Sequence, residues 1–109
     1  MDGVVETSEQ AYLTAKRLLS LFEEDAQTIR EMGRASDSAL RVHAELQKRP
    51  IANVRLISEW SGLTAPTVRS ALTRLINAGI VTQPGDALRD KIYSYRAALS
   101  ILEQGTEPL

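Results

Sequence analysis

Residues 54–75 read VRLISEWSGLTAPTVRSALTRL, and this stretch decides the fold. Val54, Ile57 and Trp60 recur at helical spacing, Asn53 stands where an N-cap belongs, and Gly62 supplies the residue that closes a short helix. Leu63 follows as a buried turn residue. Thr64 then caps a second helix, with Pro66 tolerated in its first turn. That helix carries Val68, Ala71, Leu72, Leu75 and Ile76 on one face to about Ala78, where Gly79 ends it. Two helices that meet steeply across a turn of about three or four residues need little bulk at the crossing and one left-handed turn residue. Ser58 and Gly62 meet those two needs.

Upstream, Gly33 stops one helix, and Ser36 followed by Asp37 reads as an N-cap and acidic first turn for the next. This helix turns Ala39, Val42 and Leu46 inward and reaches Lys48, before Pro50 ends it and Ile51-Ala52 forms a very short strand. Downstream, Ile80 to Gln83 and Lys91 to Arg96 have strand character on either side of the turn residues Pro84-Gly85-Asp86, which predicts a hairpin. A last helix is expected from about Ala97 to Glu103, stopped at Gly105, with an irregular tail after it. Helix, short strand, helix, tight turn, helix and hairpin is the order of a winged helix-turn-helix domain. The expected fold is therefore mainly α, a three-helix core with a two-stranded β wing, preceded by a long N-terminal helix.

That leading helix covers about Thr7 to Met32. Ala11, Ala15, Leu18, Phe22, Asp25, Ile29 and Met32 fall on one stripe, widened by Leu19 and Ala26, and Asp25 is its one charged interruption. The run Glu23-Glu24-Asp25 reads as a solvated edge. The helix is longer than a small domain needs to cap itself, so Leu18, Phe22 and Ile29 are expected to face a partner. The expected division is a connecting helix over 1–34, a winged domain over 35–103 and a tail over 104–109.

With 109 residues, 43% hydrophobic and 25% charged, the chain has the size of one core. It holds no cysteine and one histidine, which excludes disulfides, thiolate zinc sites and multi-histidine metal sites, and no metal or cofactor is expected. His43 lies beside the apolar face of its helix and reads as a partly buried, hydrogen-bonded core or rim histidine rather than a catalytic one. No run approaches the roughly 18 apolar residues that a membrane span needs, and the acidic start lacks the layout of a signal peptide. A soluble cytoplasmic protein with no membrane partner is expected. There is no glycine-rich phosphate loop, nucleophile elbow or opposed acid pair, so no catalytic residue is expected within the chain.

The net charge of −1 hides an uneven spread. Residues 1–32 hold three basic and seven acidic side chains, whereas residues 48–96 hold eight basic and three acidic ones. A polyanion favours the second segment. With its core face buried, the helix opened by Thr64 shows Pro66, Thr67, Arg69, Ser70, Thr73, Arg74 and Asn77 on the other side. Such a face suits double-stranded DNA, because a helix N-terminus offers N–H groups to phosphate and Arg can read guanine in a bidentate way. Arg69 is expected at a base and Arg74 at a phosphate, with Arg55, Lys48 and Arg49 as further phosphate contacts. Arg89 and Lys91 flank the wing turn, where Asp86 and Asp90 weaken the positive field. The same polar face also fits a protein-interaction, substrate-recruiting or oligomerisation module that binds no DNA. Trp60 reads as a helix-crossing residue, and Tyr93 and Tyr95 as wing residues alternating with Ile92, rather than as base-stacking platforms.

Further residues carry a family resemblance. Leu18 to Phe22, Glu23-Glu24-Asp25, Gly33-Arg34-Ala35, Ser38 to Val42, Ser61 to Thr64, Pro66-Thr67-Val68, Ala71 to Leu75, Gly79-Ile80-Val81, Tyr95, Ile101-Leu102 and the ending Gly105-Thr106-Glu107-Pro108-Leu109 resemble the carboxy-terminal part of Fic-family proteins. The helix-turn-helix matches are generic among bacterial regulators, whereas the acidic long helix and the ending are more particular. The resemblance implies a regulatory winged-helix segment behind an all-helical Fic domain that transfers AMP from ATP to a hydroxyl of a target protein. The family's His-Pro-Phe run and acidic-Gly-Asn-Gly-Arg loop do not occur in these residues, so no catalytic residue carries over. On this resemblance Met1 is not a native start, and the long helix meets either the upstream Fic domain or a second copy of the chain.

Overall fold

The structure is a computed structural model that describes residues 2–83 and 91–106, with side chains described for 11–34, 36–83 and 91–104. Helix α1 spans Asp2–Arg30, and a 3-10 turn over Gly33–Ala35 leads into α2, Ser36–Lys48. Strand β1 (Ile51–Ala52), α3 (Val54–Ser61), α4 (Ala65–Asn77), β2 (Tyr93–Ser94) and α5 (Arg96–Thr106) complete the order. The expected mainly α winged helix-turn-helix fold with a long leading helix is what the chain adopts.

Local chemistry explains the central turn. The Asn53 side chain accepts from Leu56 N–H at 2.8 Å and starts α3, and Gly62 ends it with φ +77° while its N–H bonds Ser58 O. That positive φ is cheap only for glycine. Ser58 Oγ donates to Leu63 O at 2.5 Å, so the small residue at the crossing also ties down the turn. Thr64 Oγ1 caps α4 by accepting from Thr67 N–H at 3.4 Å, and Pro66 sits in the first turn, where its missing N–H costs nothing.

Val42, Leu46, Ile57, Val68, Leu72 and Leu75 form the buried heart of the three-helix core. The faces of α2 and α4 read by periodicity are the faces buried. Helix α1 packs along both α2 and α5, and its C-terminal half contributes to this core.

Several details differ from the sequence reading. Ser36 is itself helical (φ −66°, ψ −35°), because the 3-10 turn runs directly into α2 and leaves no extended cap position. Among the described residues, the segment expected as the first wing strand pairs at Thr82 alone, whose N–H and C=O bond Ser94 at 2.9 and 2.8 Å. The ladder is instead β1 with β2, antiparallel, with Ile51 opposite Ser94 and Ala52 opposite Tyr93. Ser94 is thus shared between two neighbours, and Tyr95 N–H goes to Pro50 O at 2.7 Å just before α5 begins. The tyrosines do not alternate with Ile92 as wing residues: Tyr93, Ser94 and Tyr95 are all buried and Ile92 is exposed. Helix α5 runs past Gly105 to Thr106, beyond the expected stop. The turn Pro84-Gly85-Asp86, with Arg89 and Asp90, lies outside the described residues, as does the end of the tail.

Candidate nucleic-acid interface

Helix α4 is held on one side by Val68, Ala71, Leu72 and Leu75, all buried, so the direction of its other face is fixed by the core. At 100° per residue, Pro66, Ser70, Thr73 and Asn77 form the crest of that outer face. Arg69 and Arg74 are five residues apart and fall about 140° from each other, on opposite flanks of the crest. All six of these residues are exposed. A helix laid in a major groove along this crest places one guanidinium toward each wall of the groove.

Hydroxyl groups on α4 are partly committed. Thr73 Oγ1 donates to Arg69 O at 3.0 Å, and Thr64 and Thr67 hydroxyls bond each other at 2.9 Å. Thr67 is half-buried and serves the cap. Ser70 and Asn77, both on the outer face expected from the sequence, therefore hold the crest positions best suited to direct contact.

The remaining cations divide. Arg55 lies on the exposed face of α3 and approaches Glu59 Oε1 at 3.6 Å, an exposed pair that a phosphate can replace at little cost. Arg49 has its guanidinium 4.3 Å from the centre of the Trp60 ring, so it stacks on α3 at the foot of α2. Lys48 lies 3.9 Å from Glu45 Oε1. Both Lys48 and Arg49 precede β1 at the end of the ladder that leads to α5. Lys91 is exposed ahead of β2.

The partner-facing role expected for Leu18, Phe22 and Ile29 needs correction at Ile29, which is fully buried among residues of its own chain. Helix α1 leans on α2 and α5, and this contact consumes the lower part of the stripe. Phe22 is half-buried, its ring centroid 6.2 Å from that of His43 and 5.7 Å from that of Tyr95. Leu18 is half-buried as well. Among the described residues, the exposed large apolar side chains of α1 are Tyr12, Leu13 and Leu19, at 65%, 50% and 67% exposure.

Asp25 is the second correction. Rather than a solvated edge, it is half-buried on the same face as Phe22 and Ile29 and accepts a hydrogen bond from Tyr95 Oη at 2.5 Å. With that proton directed at the carboxylate, Tyr95 Oη accepts from His43 Nε2–H at 3.0 Å. His43 Nδ1 is then the acceptor for Gln47 Nε2–H at 3.1 Å. His43 is thus neutral and protonated at Nε2, and of the core and rim positions open to it from the sequence it takes the core one, fully buried with its partners. Burial lowers the His43 pKa, partly opposed by the Asp25 charge. Burial and the bond to Asp25 push the Tyr95 hydroxyl far above its ordinary value. Nothing in the local spacing announces this chain, since Asp25 and Tyr95 are 70 residues apart. The signal was Asp25 itself, a carboxylate on an apolar stripe.

Among the described residues no cluster of three or more His, Cys, Asp or Glu side chains could hold a metal ion. None of the described helices is long and apolar enough to cross a membrane.

The class of module follows from this geometry together with a family match. Residues 36–82, from α2 through the Thr82 bridge, match the family model described as winged helix-turn-helix DNA-binding. Over this stretch the chain has the winged helix-turn-helix fold. The fold is also similar to that in the crystal structure of RV1404 from Mycobacterium tuberculosis, with a TM-score of 0.52 over 94% of this chain and 71% of that one. At 19% identity that similarity concerns the fold alone. No curated protein matches the chain.

Proposed function

We propose that the chain binds double-stranded DNA by laying the outer face of α4 in the major groove, with Lys91 and the wing beside it. The observation that carries this reading is a polar crest of Pro66, Ser70, Thr73 and Asn77 flanked by Arg69 and Arg74, on a helix locked by its opposite face. Thr64 and Thr67 direct the start of α4 at phosphate, Arg69 reads a base edge, and Arg74 and Arg55 hold the backbone. Arg89, by its place in the sequence beside Lys91, adds a contact from the wing. Selection of bound duplexes from a random pool tests this: a shared motif should emerge with the natural chain and lose definition at one position with Arg69→Ala. A pool that stays random, with no retained duplex, would contradict the reading.

The wider setting we infer is the carboxy-terminal regulatory segment of a Fic-family AMP-transferase, supported by the acidic stretch of α1 and the ending Gly105-Thr106-Glu107-Pro108-Leu109. Reading the genomic frame upstream of codon 1 tests it. An in-frame His-Pro-Phe run followed by an acidic-Gly-Asn-Gly-Arg loop is the expected result, and an immediate stop codon contradicts it. A protein-interaction role gains support from one observation only, the bare apolar residues Tyr12, Leu13 and Leu19 on α1.

A further inference from the structure

We propose that α1 forms the seam of a symmetric dimer, lying antiparallel against the α1 of a second copy with the two-fold axis at Ser20. This inference does not depend on DNA binding. It starts from the middle of α1, where nearly every residue from Ala11 to Ser20 is exposed although the segment is helical throughout. Isolated amphipathic helices gain most of their stability from a covered face, so this face needs an occupant.

A groove of about 430 Å³ runs beside α5, lined by Leu13, Lys16, Ser20, Leu21, Glu24 and Ile101, with Arg17 at its edge. Arg17 Nη1 reaches Gln104 Oε1 of α5 at 3.4 Å across its rim. The charges along this face identify the occupant. Lys16 and Arg17 lie one turn before Ser20, and Glu23 and Glu24 lie one turn after it. None of the four has an opposite charge three or four residues away on its own helix, where intrahelical pairs form. Their positions are mirrored about residue 20. A second α1 running antiparallel through that point brings Lys16 opposite Glu24 and Arg17 opposite Glu23, and the two-fold axis repeats both pairs.

Ser20 at the centre is small enough for the axes to approach to the roughly 8–10 Å of ordinary helix packing. The antiparallel arrangement also opposes the two helix dipoles. Exposed ion pairs contribute little affinity, so the charges set register and the apolar lining of the groove, Leu13, Leu21 and Ile101, supplies the burial. A helix with the pattern of α1 fits this groove because its complement is its own inverted sequence.

Sedimentation of the 109-residue chain without DNA, from micromolar to hundreds of micromolar, tests the proposal. The natural chain should move from monomer to dimer across this range. Lys16→Glu/Arg17→Glu alone and Glu23→Lys/Glu24→Lys alone should each weaken dimerisation about tenfold or more, since every facing pair becomes like-charged. An equimolar mixture of the two variants should restore a dimer containing one of each, which a merely damaged fold would not do. A natural chain that stays monomeric throughout overturns the proposal and passes the groove to a different occupant. Variants that dimerise as well as the natural chain overturn the register.

Discussion

At Tyr95 the hydroxyl bridges the Asp25 carboxylate and the His43 ring, joining α1 to α2 beside the first turn of α5. Tyr95→Phe keeps the ring packing on Phe22 and removes only the bridge, leaving His43 Nε2–H buried without its acceptor. The expected cost is about 1–3 kcal/mol, seen as a fall in melting temperature of roughly 4–8 °C per kcal/mol for a domain of this size. An unchanged melting curve would mean the bridge carries no stability. His43 adds a pH dependence. Its folded pKa lies below the unfolded value of 6.5, so the unfolded chain binds the proton more readily. Stability from this group is therefore complete above about pH 6.5 and declines as pH falls from there through the lower folded pKa. Melting at pH 7.5 and at pH 5.5 should show the decline in the natural chain and a shallower one in His43→Gln. None of this was legible in the sequence beyond the placement of His43 in the core, because the partners come together only once α1 and α5 pack. Asp25 was marked by its position on an apolar stripe, but a stripe does not say which hydroxyl meets it.

Among the elements, α3, α4 and their turn were legible almost residue by residue. Their caps, the Gly62 turn and the buried face are local chemistry, fixed by side chains within a few positions of one another. Gly62→Ala forces an ordinary residue to φ +77° and should destabilise the domain by about 1 kcal/mol, and Asn53→Ala should cost a similar amount by removing the cap of α3. Chemical denaturation of both variants checks the two figures. The wing was less legible. Strand character in residues 80–83 and 91–96 predicts a hairpin, whereas among the described residues Thr82 meets Ser94 as a single bridge and the ladder of β2 runs with β1. That β2 is flanked by β1 on one edge and by Thr82 on the other is a tertiary outcome that local propensity does not encode. On α4 the two arginines should separate in function because they occupy opposite flanks. Arg69→Ala is expected to lose about 1–3 kcal/mol on the preferred duplex and to relax specificity there, while Arg74→Ala weakens all duplexes alike. Equal losses on preferred and random duplexes from Arg69→Ala would move the base contact to Ser70 or Asn77.

Over the whole molecule, charge and shape divide the same way. The acidic stretch belongs to α1, on the far side of α2 in the packing order, and the basic stretch of residues 48–96 carries α4 and the approach to the wing. The composition, with net charge −1, conceals this division, and only the distribution along the chain exposes it. What the sequence could not convey was how much of α1 the domain itself would use. Periodicity marks a continuous stripe, yet its lower end closes the core through Ile29 while Tyr12, Leu13 and Leu19 above remain bare. A helix pattern records which face is apolar and not where along the helix the neighbours stop. The most direct test of the central claim is fluorescence anisotropy of random-sequence duplex DNA titrated with the chain at low and moderate salt, beside the Arg69→Ala/Arg74→Ala double variant. The expected result is binding that weakens steeply with salt and falls in the double variant, as phosphate neutralisation by the α4 flanks requires. No binding at low salt and high protein concentration, or binding indifferent to both arginines, would contradict the assignment of α4 as the DNA-contacting helix.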